Sequence, residues 1–173
     1  MTHTLVLGGA RSGKSFFAQS AAEILAAATG GQLVMIATGQ AFDAEMTARI
    51  AAHIAARGPS WRTIEAPLDL TGALASLAPT DIAVVDCLTL WLSNLLLAGI
   101  DPEAEVTALL ESLRGVPNPV WFVSNEVGLG IVPDNALGRR FRDEAGRLHN
   151  RLAAVTGGVF MIIAGLPIAL KAL

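Results

Sequence analysis

This sequence predicts an α/β fold, a mostly parallel central sheet with helices on both faces, and three observations lead there. Short apolar runs alternate with helix-forming stretches along the chain. Hydrophobic residues make up 53% of the 173 positions and charged ones only 16%, ample apolar material for strands buried on both faces. No repeat, low-complexity tract or linker divides the chain, so residues 1–173 are expected to form one domain, near the usual domain size.

Taken in order, Thr4 to Leu7 is an apolar strand ending at Gly8-Gly9, and Phe16 to Ala28 is an alanine-rich helix former. Leu33 to Ala37 is a second strand, closed by Thr38-Gly39-Gln40, and Asp43 fits the N-cap of a helix reaching Arg57. Trp61 to Ile64 reads as a short strand, Leu68 to Leu77 as a helix, and Ile82 to Val85 as a buried strand running into Asp86. Leu88 to Leu97 and Glu103 to Leu113 read as helices, and Val120 to Val123 as a strand. A glycine-rich loop from Glu126 to Pro133 precedes a long helix, where Leu137, Phe141, Ala145, Leu148 and Leu152 recur every three or four residues. The chain closes on a strand from Val159 to Ala164. Short connections between these elements fit right-handed crossovers.

The formal net charge of −3 argues against a duplex-binding surface, which would need a basic stripe, so nucleic acid is not expected as a partner. The single Cys87 forms no intrachain disulfide, fits a reducing compartment, and is expected to be an inert buried thiol. Met1 to Leu7 lacks the basic region and apolar stretch of a signal peptide, so a cytoplasmic protein is expected. The most apolar stretches, Leu88 to Ile100 and Gly158 to Leu170, fall short of the roughly 20 residues of a membrane span. Ser93 and Asn94 interrupt the first, and Gly165 and Pro167 the second.

The strongest local signal is Gly8-Gly9-Ala10-Arg11-Ser12-Gly13-Lys14-Ser15, a full G-x-x-x-x-G-K-[ST] match between a strand and a helix. Glycines let backbone N–H groups turn inward around phosphate, the helix N-terminus favours negative charge, lysine meets the terminal phosphates, and a hydroxyl meets Mg²⁺. Of the 12 basic residues only Lys14 and Lys171 are lysines, and one of them falls at the demanded position. The fold expected is therefore P-loop NTPase-like. Asp86, at the end of an apolar strand, is expected to hold Mg²⁺ with Ser15, directly or through water. It also fits a helix N-cap, and the two readings are compatible.

On the helix expected after Asp43, Arg49, His53 and Arg57 are spaced i, i+4, i+8 and share one face. A neutral imidazole can attack phosphorus, and arginines one turn above and below would hold the polyphosphate and keep the ring unprotonated. By itself this pattern favours a structural histidine.

The ordered set GGARSGKS at Gly8, IATGQ at Ile36, EMTARIAAHIAARG at Glu45, WRTIEAP at Trp61, VVDCLTLWLSN at Val84, SNEVGLGIVPDN at Ser124, FRDEAGRLHNRLA at Phe141 and AGLPIALK at Ala164 resembles the bifunctional adenosylcobinamide kinase and adenosylcobinamide-phosphate guanylyltransferase family. The resemblance covers nearly the whole chain. It implies that His53 is guanylylated by GTP, and it implies nucleotide contacts from the P-loop, from Thr38, Gly39 and Gln40, from Ile54, Ala55, Ala56 and Arg57, from Glu65 and from Asp86. Some relatives carry a second histidine immediately before the nucleophile, where this chain has Ala52.

The function expected is phosphorylation of adenosylcobinamide by ATP or GTP, then guanylyl transfer through a GMP-histidine to give adenosylcobinamide-GDP and pyrophosphate, within cobalamin biosynthesis. Lys14 and His53 are the expected catalytic residues, Mg²⁺ the cofactor, and nucleotide and corrinoid the small-molecule partners. The family implies a homo-oligomer, a trimer. Two rivals stand beside this reading: a single-activity P-loop kinase with a structural His53, and a nucleotide-dependent regulatory protein without turnover. No N-K-x-D element that would read guanine is present. Asn125, Glu126 and the glycines after them sit at a strand's carboxyl end, where open α/β sheets place ligands, or else form a plain turn. Thr38 to Gln40 likewise fits a turn and Glu65 a solvated acid. Arg139, Arg140 and Arg142 are expected on a solvated helix face, and His3 and His149 receive no role.

Overall fold

A computed structural model describes residues 3–40 and 58–172. Seven strands form one sheet in the order β3-β2-β4-β5-β1-β6-β7. They are β1 His3–Gly8, β2 Gln32–Ala37, β3 Trp61–Glu65, β4 Asp81–Asp86, β5 Val120–Asn125, β6 Gly158–Ile163 and β7 Leu166–Lys171. Every neighbouring pair is parallel except β6 and β7. The described helices are α1 Lys14–Thr29, α2 Leu70–Ala75, α3 Leu88–Leu97, α4 Pro102–Ser112 and α5 Ala136–Val155.

Strand alternation sorts the apolar side chains onto two faces. Leu5, Ile36, Val85 and Phe122 face a layer that contains Trp91, Leu95, Leu109, Leu148 and Leu152 of α3, α4 and α5. Val6, Met35, Val84 and Val123 face Ala18, Ala22 and Ala26 of α1. The four-residue spacing of those alanines gives α1 a smooth stripe that lies close to the sheet, whereas the opposite face is filled by large side chains. Burying each leucine there stabilises the fold by about 2 kcal/mol. Trp91, fully buried, satisfies its indole N–H by donating to the carbonyl of Leu68, 2.7 Å away.

Capping chemistry sets several helix boundaries. The Asp69 carboxylate accepts from Gly72 N at 2.7 Å, so α2 begins at Leu70 rather than Leu68. Asp101 caps α4, with Pro102 in its first turn, and Asn135 caps α5 by accepting from Gly138 N.

Three expectations need correction. The N-cap of α3 is Cys87, which makes no side-chain cap; Asp86 belongs to β4, so its capping role is not realised. The apolar stripe of α5 is buried at Ala145, Leu148 and Leu152 but not at Leu137, which is 53% exposed. The sheet also does not close on β6. Ala164 and Gly165, with φ of 51° and 81°, make a two-residue turn into the antiparallel β7. Pro167, which has no N–H to give a further neighbour, lies on this edge strand. No described helix is long and apolar enough to cross a membrane.

Candidate active site

All the parallel strands end at one edge of the sheet, and the residues with chemical potential collect there. In register, Glu65 of β3 lies beside Ala37 of β2, which lies beside Asp86 of β4. Asp86 is level with Val123 of β5, and Asn125 with Gly8 of β1. At roughly 4.8 Å per strand, Asp86 is about 10 Å from the β1 line and Glu65 about 19 Å. The register therefore brings Asp86 to the P-loop's neighbourhood and leaves Glu65, which is exposed, on the far flank.

The P-loop emerges from β1 and is held from both sides. Glu126 N donates to Gly8 O at 3.0 Å, and Gly165 N to Ser12 O at 2.9 Å. Arg11, at φ 56°, and Gly13, at φ 96°, turn the backbone through left-handed geometry, the kind of turn that directs N–H groups into an anion-binding concavity. A Cβ on Gly8 would collide with Ser12 Oγ and lie 2.8 Å from Ile162 O, so the close approach of β6 requires glycine. Gly9, Ala10 and Arg11 are exposed along the outside of the loop. Ser12 Oγ is buried without a hydrogen-bond partner among the described residues, a group that a phosphate oxygen would satisfy.

Lys14 and Ser15 open α1, at its positive end. Lys14 is buried, and its Nζ donates to Gly9 O at 3.1 Å, spanning the loop from inside. A divalent cation suits the donors offered here: Ser15 contributes a hydroxyl and Asp86, half-buried at the same sheet edge, a carboxylate. Hard oxygen ligands, few in number and completed by phosphates, are what Mg²⁺ accepts.

Thr38, expected as a nucleotide contact, has its side chain turned into the protein. It is fully buried; its hydroxyl donates to Cys87 O at 2.7 Å and accepts from Cys87 N at 2.8 Å. Asn94 Nδ2 donates to the carbonyls of Thr38 and Pro67 at 2.8 and 2.9 Å. This ties the exit of β2 to the peptide that follows Asp86, and only Gly39 and Gln40, half-buried, continue toward the surface. Burial and the adjacent Asp86 charge push the Cys87 thiol's pKa up, which keeps it protonated and fits the inert role expected of it. His53, Ile54, Ala55, Ala56, Arg57 and Arg49 lie outside the described residues.

Sequence reasoning gave His149 no role, yet it is buried at the site. Its Nε2 is 2.7 Å from Ser124 Oγ, and its Nδ1 is 4.0 Å from Glu126 Oε2. The one available signal was its place beside the buried stripe of α5, next to Leu148. Arg139 and Arg140 are exposed and Arg142 partly so, as expected of a solvated face.

Comparison with known proteins places the fold and the family. Among solved structures, an ATPase domain superposes with a TM-score of 0.54 over 92% of this chain and 68% of its own, at 10% identity, a likeness of fold alone. The bifunctional adenosylcobalamin biosynthesis protein CobP of Pseudomonas aeruginosa is 51% identical over 171 residues, 96% of each chain. The bifunctional adenosylcobalamin biosynthesis protein CobU of Salmonella typhimurium is 40% identical over 183 residues, 96% of this chain and 98% of its own. Residues 4–170 match the family model described as cobinamide kinase / cobinamide phosphate guanyltransferase. A match over nearly the full length, to the model and to both relatives, means that this chain belongs to the cobinamide kinase / cobinamide phosphate guanyltransferase family.

Proposed function

We propose that this chain performs both reactions of its family: transfer of a terminal phosphoryl group from ATP or GTP to the aminopropanol hydroxyl of adenosylcobinamide, and transfer of GMP from GTP to the phosphate so formed. The observation that carries the first reaction is the P-loop fixed between β5 and the β6–β7 turn, with Lys14 buried inside it. Phosphoryl transfer asks a protein mainly for positioning and for positive charge, and Lys14 with the loop N–H groups supplies both. Ser15 and Asp86 would hold Mg²⁺, which when bound neutralises charge on the phosphates.

For the second reaction, His53 is the nucleophile: its imidazole nitrogen bonds to the α-phosphorus of GTP and pyrophosphate leaves. The corrinoid phosphate then displaces the imidazole to give adenosylcobinamide-GDP. Arg49 and Arg57, four residues to either side, hold the polyphosphate and stabilise developing charge. Gly39, Gln40, Glu65 and the stretch from Ile54 to Arg57 provide further nucleotide contacts on the β2–β3 flank, with Thr38 placing that turn. The active form is a homo-oligomer, a trimer, and the exposed Leu166, Ile168 and Leu170 of β7 are apolar surface such an assembly would cover.

Labelled GTP tests the reading. Label from the α-phosphate should enter the wild-type protein and label from the γ-phosphate should not, with an adduct that survives alkali and breaks in acid. His53→Ala should lose the label and the second reaction while keeping the kinase step. Absence of α-label from wild type, or equal labelling of His53→Ala, would leave a single-activity kinase as the better account.

A further inference from the structure

The kinase step needs a group to take the proton of an alcohol, and the residues placed so far do not provide one. Asp86 is assigned to the cation, and the Cys87 thiol, pushed up by burial, retains its own proton. Two other carboxylates lie at the carboxyl ends of the described parallel strands. Glu65 is four strands from β1, about 19 Å away and too far to share a hydroxyl with the P-loop. Glu126 follows β5, the strand between β1 and β4, and so stands between the phosphate loop and Asp86.

Its surroundings fix it there. The backbone N–H of Glu126 is bonded to Gly8 O, and its Oε1 accepts from Gly128 N. Its side chain remains 22% exposed, within reach of a substrate and of water. Oε2 faces His149 Nδ1 at 4.0 Å, and the opposite ring nitrogen is 2.7 Å from Ser124 Oγ, which is fully buried. Burial lowers the pKa of His149, with Glu126 opposing, so near neutral pH the ring carries a single proton. The carboxylate favours that proton on Nδ1, leaving Nε2 to accept from the Ser124 hydroxyl.

We infer that Glu126 is the general base for the acceptor hydroxyl in the kinase reaction, and that His149, anchored by Ser124, is a positioning residue that orients its carboxylate. This rests on the kinase reading above. The hydroxyl O–H bond breaks and its proton passes to Glu126. The alcohol oxygen bonds to the γ-phosphorus, the bond from that phosphorus to the β–γ bridging oxygen breaks, and a nucleoside diphosphate departs. Glu126 then releases the proton to water.

Glu126→Gln tests this, because the amide oxygen still accepts from Gly128 N but the side chain takes no proton. In steady-state phosphorylation of cobinamide, kcat should fall about 100-fold or more with KM little changed. Labelling by α-labelled GTP should persist. Formate should partly restore turnover to Glu126→Ala, whose void admits it, and not to Glu126→Gln. His149→Phe, which keeps the ring volume, should lower kcat about tenfold without raising KM. His149→Gln, able to donate to the carboxylate, should recover part of that loss. Wild-type kcat in Glu126→Gln, or a loss confined to KM, overturns the assignment while the kinase reading stands. Failure of the wild-type protein to phosphorylate cobinamide with either nucleotide overturns both.

Discussion

On the β1 flank of the sheet the phosphate loop is fastened by main-chain atoms, Glu126 N to Gly8 O and Gly165 N to Ser12 O. On the β2 flank the turn after Ala37 is fastened by side chains, the Thr38 hydroxyl on both polar atoms of Cys87 and the Asn94 amide on Thr38 O. Main-chain fastenings survive substitution of the residues that make them, so on the first flank side chains are free for chemistry. On the second, the main-chain bonds from Thr38 N to Asp86 O and from Ala66 N to Ala37 O are reinforced by side chains that act as joints themselves. Changes at the two flanks should therefore fail in different measurements, the first in turnover and the second in stability.

The largest expected effect separates them most clearly. Lys14→Ala should lower phosphorylation of cobinamide about 100- to 1,000-fold, because it removes charge from the transferring phosphate, while thermal unfolding changes little. A comparable loss of stability would mean that Lys14 is also a joint. Thr38→Val keeps shape but leaves Cys87 N buried without its partner, while Cys87 O keeps its bonds from Leu90 N and Trp91 N. Denaturant titration should show a loss of about 1–2 kcal/mol. α-Labelling by GTP measured well below the unfolding transition should continue; its loss would restore Thr38 as a direct nucleotide contact.

Asp86→Asn probes the strand between the flanks. With no capping role to lose, its fold should be unaffected, and activity should fall about tenfold at limiting Mg²⁺, recovering as Mg²⁺ is raised. An unchanged Mg²⁺ dependence would remove Asp86 from the cation site. The smallest effect concerns pH. Burial lowers the pKa of both His3 and His149 below 6.5. Above 6.5 neither form takes up protons, and below it the unfolded chain protonates first, so stability should decline as pH falls from about 6.5. Urea titrations at stepped pH should give a shallower decline for His149→Gln than for wild type.

Local chemistry made part of this molecule readable in advance. The β1–P-loop–α1 unit is legible because an anion-binding turn dictates glycines, lysine and hydroxyl within eight consecutive residues. The buried strands are legible because each is an uninterrupted apolar run. The partners of Thr38 and His149 were not, since Thr38 meets Cys87 49 positions away and His149 meets Ser124 at a distance of 25, and no periodicity links them. The β7 hairpin was missed because its turn uses Ala164 in a left-handed conformation that alanine seldom adopts, leaving one glycine as the visible sign. The expectation for His53 depends on its motif and its spacing from Arg49 and Arg57, since that segment lies outside the described residues.

The β6–β7 turn also decides how the protein can be handled. Had the chain stopped at β6, its last residues would emerge beside the P-loop. Instead β7 runs back until Lys171 lies opposite Val159, where its ammonium donates to Ala153 O and Thr156 O at the end of α5. His3 starts β1 at that same pole, where its carbonyl accepts from Gly157 N. Residues 3 and 172 thus lie at the pole opposite the P-loop. A surface tether attached at that pole would not shadow the reacting groups, which makes immobilised enzyme a practical format for the kinetic tests above.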